Sequence, residues 1–297
     1  MSKISSNKLI LGTVQFGLDY GINNKLGKPN FKQSCEILSK AFDNGITTLD
    51  TAEAYGDAHN IIGRFHEIYS SNKFYIITKI PHGSDLTNIY QKACNFLKDL
   101  NVDCIDTLMF HSFDTYIKNL NDFKLLSKLI DDNLVKKIGV SVYNNGQIEK
   151  LLNNENIKVV QFPFNLFDNI NKRGEYIKKL KEAGKIVHTR SAFLQGIFFK
   201  NPIDSNLIVR KLSNELTFLN QLSDKYNLPI GSFALNYCLS QKDIDQVIIG
   251  TYSINQLEQN IESIKLNLED SLIDEINSIF IKNENLLNPS LWNKTLY

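Results

Sequence analysis

The sequence has almost no net charge: 33 Lys and Arg residues stand against 32 Asp and Glu, a formal balance of +1 over 297 residues. Such a chain has no global field with which to hold nucleic acid or an anionic membrane, so its function must come from a local site. It has no apolar run approaching the ~18 residues of a spanning helix. The short run Leu9–Val14 is broken by Gly12 and does not have the form of a signal-peptide core. There are only four cysteines, Cys35, Cys94, Cys104 and Cys238, and none forms a C-x-x-C pair. Free thiols are therefore expected rather than bridges, no metal site is expected, and the chain reads as cytoplasmic. In that setting the sequon Asn293-Lys294-Thr295 carries no meaning. No linker or low-complexity stretch divides the chain, so residues 1–297 are expected to form one domain. Both the G-x-G-x-x-G turn of a doubly wound dinucleotide fold and the G-x-x-x-x-G-K-[ST] phosphate loop are missing.

What is present is globular in composition, 42% hydrophobic and 22% charged, which excludes a disordered tail, a collagen-like fibre or a disulfide miniprotein. Short β-branched apolar runs alternate with longer segments of helical period. The strand candidates are Leu9–Thr13, Thr47–Ala52, Phe74–Ile80, Ile105–His111, Lys137–Tyr143, Val159–Asn165, Ile186–Ser191 and Gln246–Thr251. Most are continuous apolar runs, the pattern of parallel strands covered on both faces. Helices are expected over Phe31–Asn44, Asp85–Leu100, Leu120–Asn133, Asn145–Asn153, Arg173–Ala183, Asn206–Tyr226, Ile230–Ser240 and Ser253–Lys265. Eight strands alternating with about eight helices predict an α/β fold, a (β/α)8 TIM barrel with extra C-terminal helices and a tail.

In such a barrel, chemistry gathers where strands end and the following loops begin. The second strand ends on Asp50 and its loop carries Tyr55; the third ends on Lys79 and the fourth on His111. Four ionisable groups thus share one end of three neighbouring strands. A free tyrosine, with a pKa of about 10, is a poor proton donor near neutrality, and an adjacent ammonium would lower that pKa. Asp50 can hold Lys79 charged and oriented, and His111 can donate a hydrogen bond to a carbonyl oxygen. Tyr55 can then protonate that oxygen as hydride reaches the carbon.

These residues stand in motifs that resemble the aldo-keto reductases, from about Leu9 to Lys265. The matching stretches are Leu11-Gly12-Thr13, Gly45-Ile46-Thr47-Thr48-Leu49-Asp50-Thr51-Ala52 with Tyr55-Gly56, and Thr78-Lys79 with His111. They continue through Ile138-Gly139-Val140-Ser141, Gln161-x-x-x-Asn165, Ile248-Ile249-Gly250-Thr251 and Gln256-Leu257-x-x-Asn260. The resemblance implies the same barrel, a catalytic set of Tyr55, Asp50, Lys79 and His111 with Tyr55 as proton donor, and a nicotinamide dinucleotide lying across the barrel rim. It implies that Ser141 and Gln161 meet the nicotinamide carboxamide, and that Arg190 takes the place where relatives stack an aromatic ring. Ser191, Phe193, Leu194 and Gly196 are then expected to face the pyrophosphate. Thr13, Asp50, Gly250, Thr251, Ser253, Gln256, Gln259 and Asn260 complete the expected cofactor contacts. NADP(H) is expected ahead of NAD(H) from the family, although Gly250 and Gln256 are neutral where basic residues often stand.

The chain also departs from the pattern. Val142 replaces a usual Asn. Asp57-Ala58-His59 replaces the common x-Ser/Ala-Glu, and His59 is expected on a helix surface. His66, His82 and His188 are expected to be structural. Asp19 and Tyr20 either line the substrate mouth or form a plain turn between Gly17 and Gly21. Substrate specificity is expected from Ser112–Lys118, Phe198–Asn206 and the tail Leu286–Tyr297, where Trp292 either closes over the mouth or packs the tail onto the barrel. The activity expected is NAD(P)H-dependent reduction of an aldehyde or ketone, with a small carbonyl or sugar as substrate and neither nucleic acid nor membrane as partner. The opening and the Arg190–Gly196 loop look like a bacterial subgroup often associated with surface-sugar pathways. A cofactor-binding sensor with little turnover, or a redox-assisted sugar epimerase or lyase, are the alternatives.

Overall fold

Eight parallel strands close into a ring in which each pairs with its sequence neighbours and the first meets the last. The structure, a computed structural model, describes residues 6–24 and 26–294, without the side chains of 293 and 294. The strands are β1 (Leu9–Gly12), β2 (Thr48–Asp50), β3 (Tyr75–Ile80), β4 (Ile105–Phe110), β5 (Val135–Ser141), β6 (Ile157–Pro163), β7 (Ile186–Arg190) and β8 (Gln246–Gly250). This is the (β/α)8 barrel expected from the strand rhythm. The two faces of each strand have different tasks. Ile10, Ile77, Met109, Val159 and Ile248 fill the interior as one small cluster. Their neighbours, such as Leu11, Ile76, Leu108 and Val160, point outward into the larger core beneath the helices. Both faces are dry, which is why the runs read as continuously apolar.

Helix boundaries follow local turn chemistry. Helix Phe31–Asp43 starts at Asn30, whose side chain accepts from Gln33 N while Gln33 Oε1 accepts from Asn30 N at 2.9 Å, a reciprocal cap. The expected helix from Asp85 begins only at Ile89, because Asp85 Oδ1 captures Thr87 N at 3.0 Å and holds a turn instead. The expected Asn206–Tyr226 helix is two, Leu207–Lys211 and Ser213–Tyr226, parted by a non-helical Leu212.

The helix after β2, Ala58–Ile68, buries seven of its eleven residues, His59 among them. His59 is therefore not a surface residue: it is 7% exposed, its Nε2 lies 2.9 Å from Thr78 Oγ1, and its ring meets Phe96 edge-on. Gly63 in this helix is required by close packing, since a Cβ there would stand 1.9 Å from Asp99 O. His66 is structural: Nδ1–H donates to Leu100 O at 2.8 Å, and Nε2 accepts from Phe74 N at 3.2 Å. His188 is buried on β7 with Nδ1 unpartnered among the described residues. Trp292 is buried and donates to Leu286 O at 3.1 Å, so it packs the tail; Tyr297 lies outside the described residues. No helix among the described residues is long and apolar enough to cross a membrane, and no group of three or more His, Cys, Asp or Glu gathers to hold a metal.

Candidate active site

The carboxyl ends of the strands surround one cleft of about 1710 Å³. That is well beyond the ~300–1,000 Å³ of an ordinary small-molecule site, and it has room for a dinucleotide with a substrate beside it. At its floor, β2 and β3 lie in register so that the buried Asp50 and Lys79 meet. Lys79 Nζ donates to Asp50 Oδ1 and, at 2.9 Å, to Thr51 O. The second carboxylate oxygen accepts from Gln161 Nε2 at 2.9 Å, across the barrel from β6. Burial pulls the Lys79 pKa down, and the Asp50 carboxylate opposes that pull.

Tyr55 sits on the turn after β2, closed by hydrogen bonds from Tyr55 N to Ala52 O and from Ala58 N to Tyr55 O. The loop after β1 presses on this turn. A Cβ at Gly17 would fall 1.5 Å from Tyr55 O, so only glycine allows the approach. The Tyr55 ring stands 5.1 Å from Lys79 Nζ and 5.8 Å from the His111 ring, the two rings nearly perpendicular at 79°. The expected lowering of the Tyr55 pKa by Lys79 does not occur. Burial pushes the phenol above the ordinary tyrosine range, Asp50 adds to this, and Arg190 provides the opposing pull. The Lys79 charge is taken up by Asp50. Tyr55 is a neutral phenol at physiological pH, which is the form that gives a proton.

His111 is held neutral. Burial, then Lys79, His82 and Arg190, push its pKa down to about 3. Its Nδ1 is buried with no partner among the described residues, and its ring stacks on His82 at 4.6 Å and 23°. His82 thus lines the cleft instead of serving only the scaffold. Pro81-His82 directly after the third strand was the sequence signal for it.

Of the residues expected to hold a cofactor, Thr13, Asp50, Ser141, Gln161, Arg190 and Ser191 line the cleft, as do Phe193, Gly196, Gly250, Gln256, Gln259 and Asn260. Three do not. Leu194 is fully buried in the core. The Thr251 hydroxyl is fully buried and donates to Ser253 O at 2.8 Å, and the Ser253 hydroxyl caps the following helix by accepting from Gln256 N at 3.3 Å. Gln256 turns back on its own loop, where Oε1 accepts from Tyr252 N at 3.2 Å.

Gln15 is a residue that sequence reasoning passed over. It is 8% exposed and lines the cleft, and its Oε1 is buried without a partner among the described residues. Its carboxamide fills the space over Gly250, where a Cβ would come within 2.4 Å of Gln15 Nε2. A buried, unpaired carboxamide is costly unless a ligand completes it.

The loops after β1 and β7 meet over the cleft. Asn23 Nδ2 donates to Gly196 O at 2.7 Å, Ile22 N to Gln195 O at 3.3 Å, and Gln195 Nε2 to Tyr20 Oη at 2.7 Å. Tyr20 therefore lines the mouth, and Asp19 stays outside as an exposed turn residue bonded by Asn24. Of the three expected specificity segments, only Phe198–Asn206 contributes, through its first half to Pro202; neither the short helix Phe113–Lys118 nor the described part of the tail reaches the cleft.

Comparison with known proteins agrees with the fold. The sequence model of the aldo/keto reductase family matches residues 8–281. An aldo-keto reductase of Bacillus subtilis (strain 168), YhdN, is 24% identical over 317 residues, covering 93% of this chain and 90% of that one. The L-glyceraldehyde 3-phosphate reductase of Escherichia coli O157:H7 is 23% identical, with 83% of each chain covered. Among solved structures, the holo aldo-keto reductase AKR11C1 of Bacillus halodurans superposes with a TM-score of 0.74 at 19% identity, over 93% of this chain and 94% of the other. The glycerol dehydrogenase AKR11B4 of Gluconobacter oxydans does so at 0.71 and 20%, over 92% and 90%. The chain belongs to the aldo/keto reductase family, whose members are oxidoreductases that reduce carbonyl groups with nicotinamide cofactors.

Proposed function

We propose that this protein is a nicotinamide-dependent carbonyl reductase in which Tyr55 gives the proton and His111 orients the carbonyl oxygen. The observation that carries the reading is the placement of the Tyr55 phenol beside a neutral imidazole, whose Nδ1 has no partner among the described residues, over the Asp50–Lys79 pair. The cleft suits the cofactor in its own chemistry: its volume and the buried Gln15 Oε1, which has no partner among the described residues, favour a large polar ligand lying against the rim. Ser141 and Gln161 would hold the carboxamide end, Gln15, Ser191 and Gly196 the middle, and Gln256, Gln259 and Asn260 the adenosine end. A bound reduced cofactor supplies hydride to the carbonyl carbon.

This chain's residues do the rest. His111 donates its one ring N–H to the carbonyl oxygen and polarises the bond. Tyr55 delivers its phenolic proton to that oxygen as charge builds there. Lys79, fixed by Asp50 and Thr51 O, stands close enough to stabilise the phenolate left behind. The β1–β7 strap shields the reacting centre from water.

The substrate half of the mouth offers Tyr20, Asn23, Tyr143 and Gln195, which suit a hydroxylated, sugar-related aldehyde or ketone. The names of two relatives, a glycerol dehydrogenase and an L-glyceraldehyde 3-phosphate reductase, point the same way. For the cofactor, the only cationic side chains on the cleft wall among the described residues are Lys79, Arg190 and Lys200, and Lys200 is paired with Asp204. A 2′-phosphate would meet mainly neutral donors. NADPH and NADH are accordingly expected to bind within about tenfold of each other, with NADP(H) the favoured form on the family's precedent. Replacing Tyr55→Phe is expected to keep cofactor affinity while lowering kcat by about 10²–10⁴-fold, the range of a lost general acid. Full turnover by this variant on any carbonyl that the parent reduces would overturn the assignment.

A further inference from the structure

The charges at the barrel mouth do not balance. Among the described residues Asp50 is the one carboxylate at the floor, Glu262 on the cleft wall being paired with Lys265, and Lys79 and Gln161 already share the two Asp50 oxygens. Arg190 remains, at the end of β7, which stands opposite β3 in the ring of eight strands. Its guanidinium makes no ion pair among the described residues. It donates to Val142 O and Ser191 Oγ, both at 3.4 Å, and lies 4.3 Å from the centre of the Tyr143 ring. Tyr143 is itself held from behind, since Tyr143 O accepts from Arg173 Nη2 at 2.7 Å within the buried Arg173–Asp168 pair. Arg190 is thus a fixed cation. Arg190 is therefore a positive charge that no carboxylate among the described residues compensates. Its reach is visible in the surrounding groups: Arg190 pulls down the proton affinities of Tyr20, Tyr55, Lys79 and His111.

The oxidised and reduced nicotinamide dinucleotides share the same adenosine, pyrophosphate and riboses. They differ at the ring, a pyridinium of charge +1 when oxidised and a neutral dihydropyridine when reduced. A ring that exchanges hydride with a carbonyl held by Tyr55 and His111 must sit in this mouth, under the field of Arg190. We propose that Arg190 makes the protein hold the reduced cofactor more tightly than the oxidised form, an inference that rests on reading the cleft as a nicotinamide site. The penalty falls on the oxidised ring alone, because every other contact is common to the two forms. The same bias makes the bound oxidised ring a stronger hydride acceptor.

Calorimetric titration of the whole protein with NADH, NAD⁺, NADPH and NADP⁺ tests this without turnover. The reduced form of each pair is expected to bind at least about tenfold more tightly than its oxidised partner. Arg190→Gln should bring that ratio close to one, and Arg190→Lys, which keeps the charge, should preserve most of it. Equal affinities in the parent protein would overturn the inference and leave the carbonyl-reductase reading standing. A ratio that survives in Arg190→Gln would overturn the assignment to Arg190. Failure of all four dinucleotides to bind would instead overturn the nicotinamide site, and the inference with it.

Discussion

At the scale of single residues, the behaviour of the site follows from which groups are charged. Tyr55 is held above the ordinary phenol range by burial and by Asp50, so its proton remains in place well past neutrality. His111, with its pKa pushed down to about 3, stays neutral throughout the physiological range. The rate of carbonyl reduction, as kcat/KM, is therefore expected to be flat from about pH 6 to about pH 9 and to fall only where the phenol ionises. A profile that declines through pH 6–7 on either side would contradict a neutral His111 and a protonated Tyr55. Lys79→Met should lower turnover steeply and also destabilise the fold, since it leaves the Asp50 carboxylate buried with only Gln161 as donor. The four residues of this set were legible in the sequence because strand ends in a parallel barrel converge, and three adjacent strands each delivered an ionisable group there. The direction of the Tyr55 shift was not legible. It depends on how deeply the phenol is buried and on Asp50 absorbing the Lys79 charge, and neither is written in residue spacing.

At the scale of elements, strands were easier to read than helices. A strand covered on both faces is a largely apolar run, and Ile105–Phe110 begins on a β-branched and ends on an aromatic residue. Helix starts turn on single side chains competing for backbone N–H groups, as Asp85 does at Thr87. The burial of His59 could not be read from its own helix, because its partners Thr78 and Phe96 belong to the next βα unit. The loops behind the site depend on one buried ion pair. Arg173 donates to both oxygens of Asp168 at 2.7 Å, and also to Asn145 Oδ1 and Tyr143 O, with both charged side chains almost fully buried. Removing one partner strands the other in the core. Arg173→Ala is expected to cost about 3–5 kcal/mol in urea unfolding. The double replacement Asp168→Leu with Arg173→Met should recover much of that loss, and a single variant as stable as the parent would show that the pair carries no such role.

At the scale of the whole molecule, four imidazoles whose pKa burial lowers, those of His59, His66, His111 and His188, tie stability to pH. Burial holds His59 and His188 at about 4 and His111 at about 3, against about 6.5 in an unfolded chain. Below about pH 6.5 the unfolded state binds more protons than the native state, so stability falls as pH drops toward about 4. The urea midpoint at about pH 5 should lie below that at about pH 7.5, and His59→Gln should narrow the gap. An unchanged or rising midpoint on acidification would mean that these rings are protonated in the fold. The barrel joins segments that are far apart in sequence, the strap from residues 20–23 to 195–196 and the Gln161–Asp50 bond among them. All of them converge on one cleft, where on the proposed reading hydride and proton reach the two ends of the same carbonyl bond. The most direct test of that claim supplies reduced cofactor deuterated at ring carbon 4 with a panel of hydroxylated aldehydes and ketones, and follows deuterium into product by mass spectrometry. The account predicts one deuterium on the former carbonyl carbon with the parent protein, and loss of nearly all of that product with Tyr55→Phe despite undiminished cofactor binding. Deuterated alcohol formed equally well by Tyr55→Phe, or none formed by a parent protein that binds the cofactor, would contradict it.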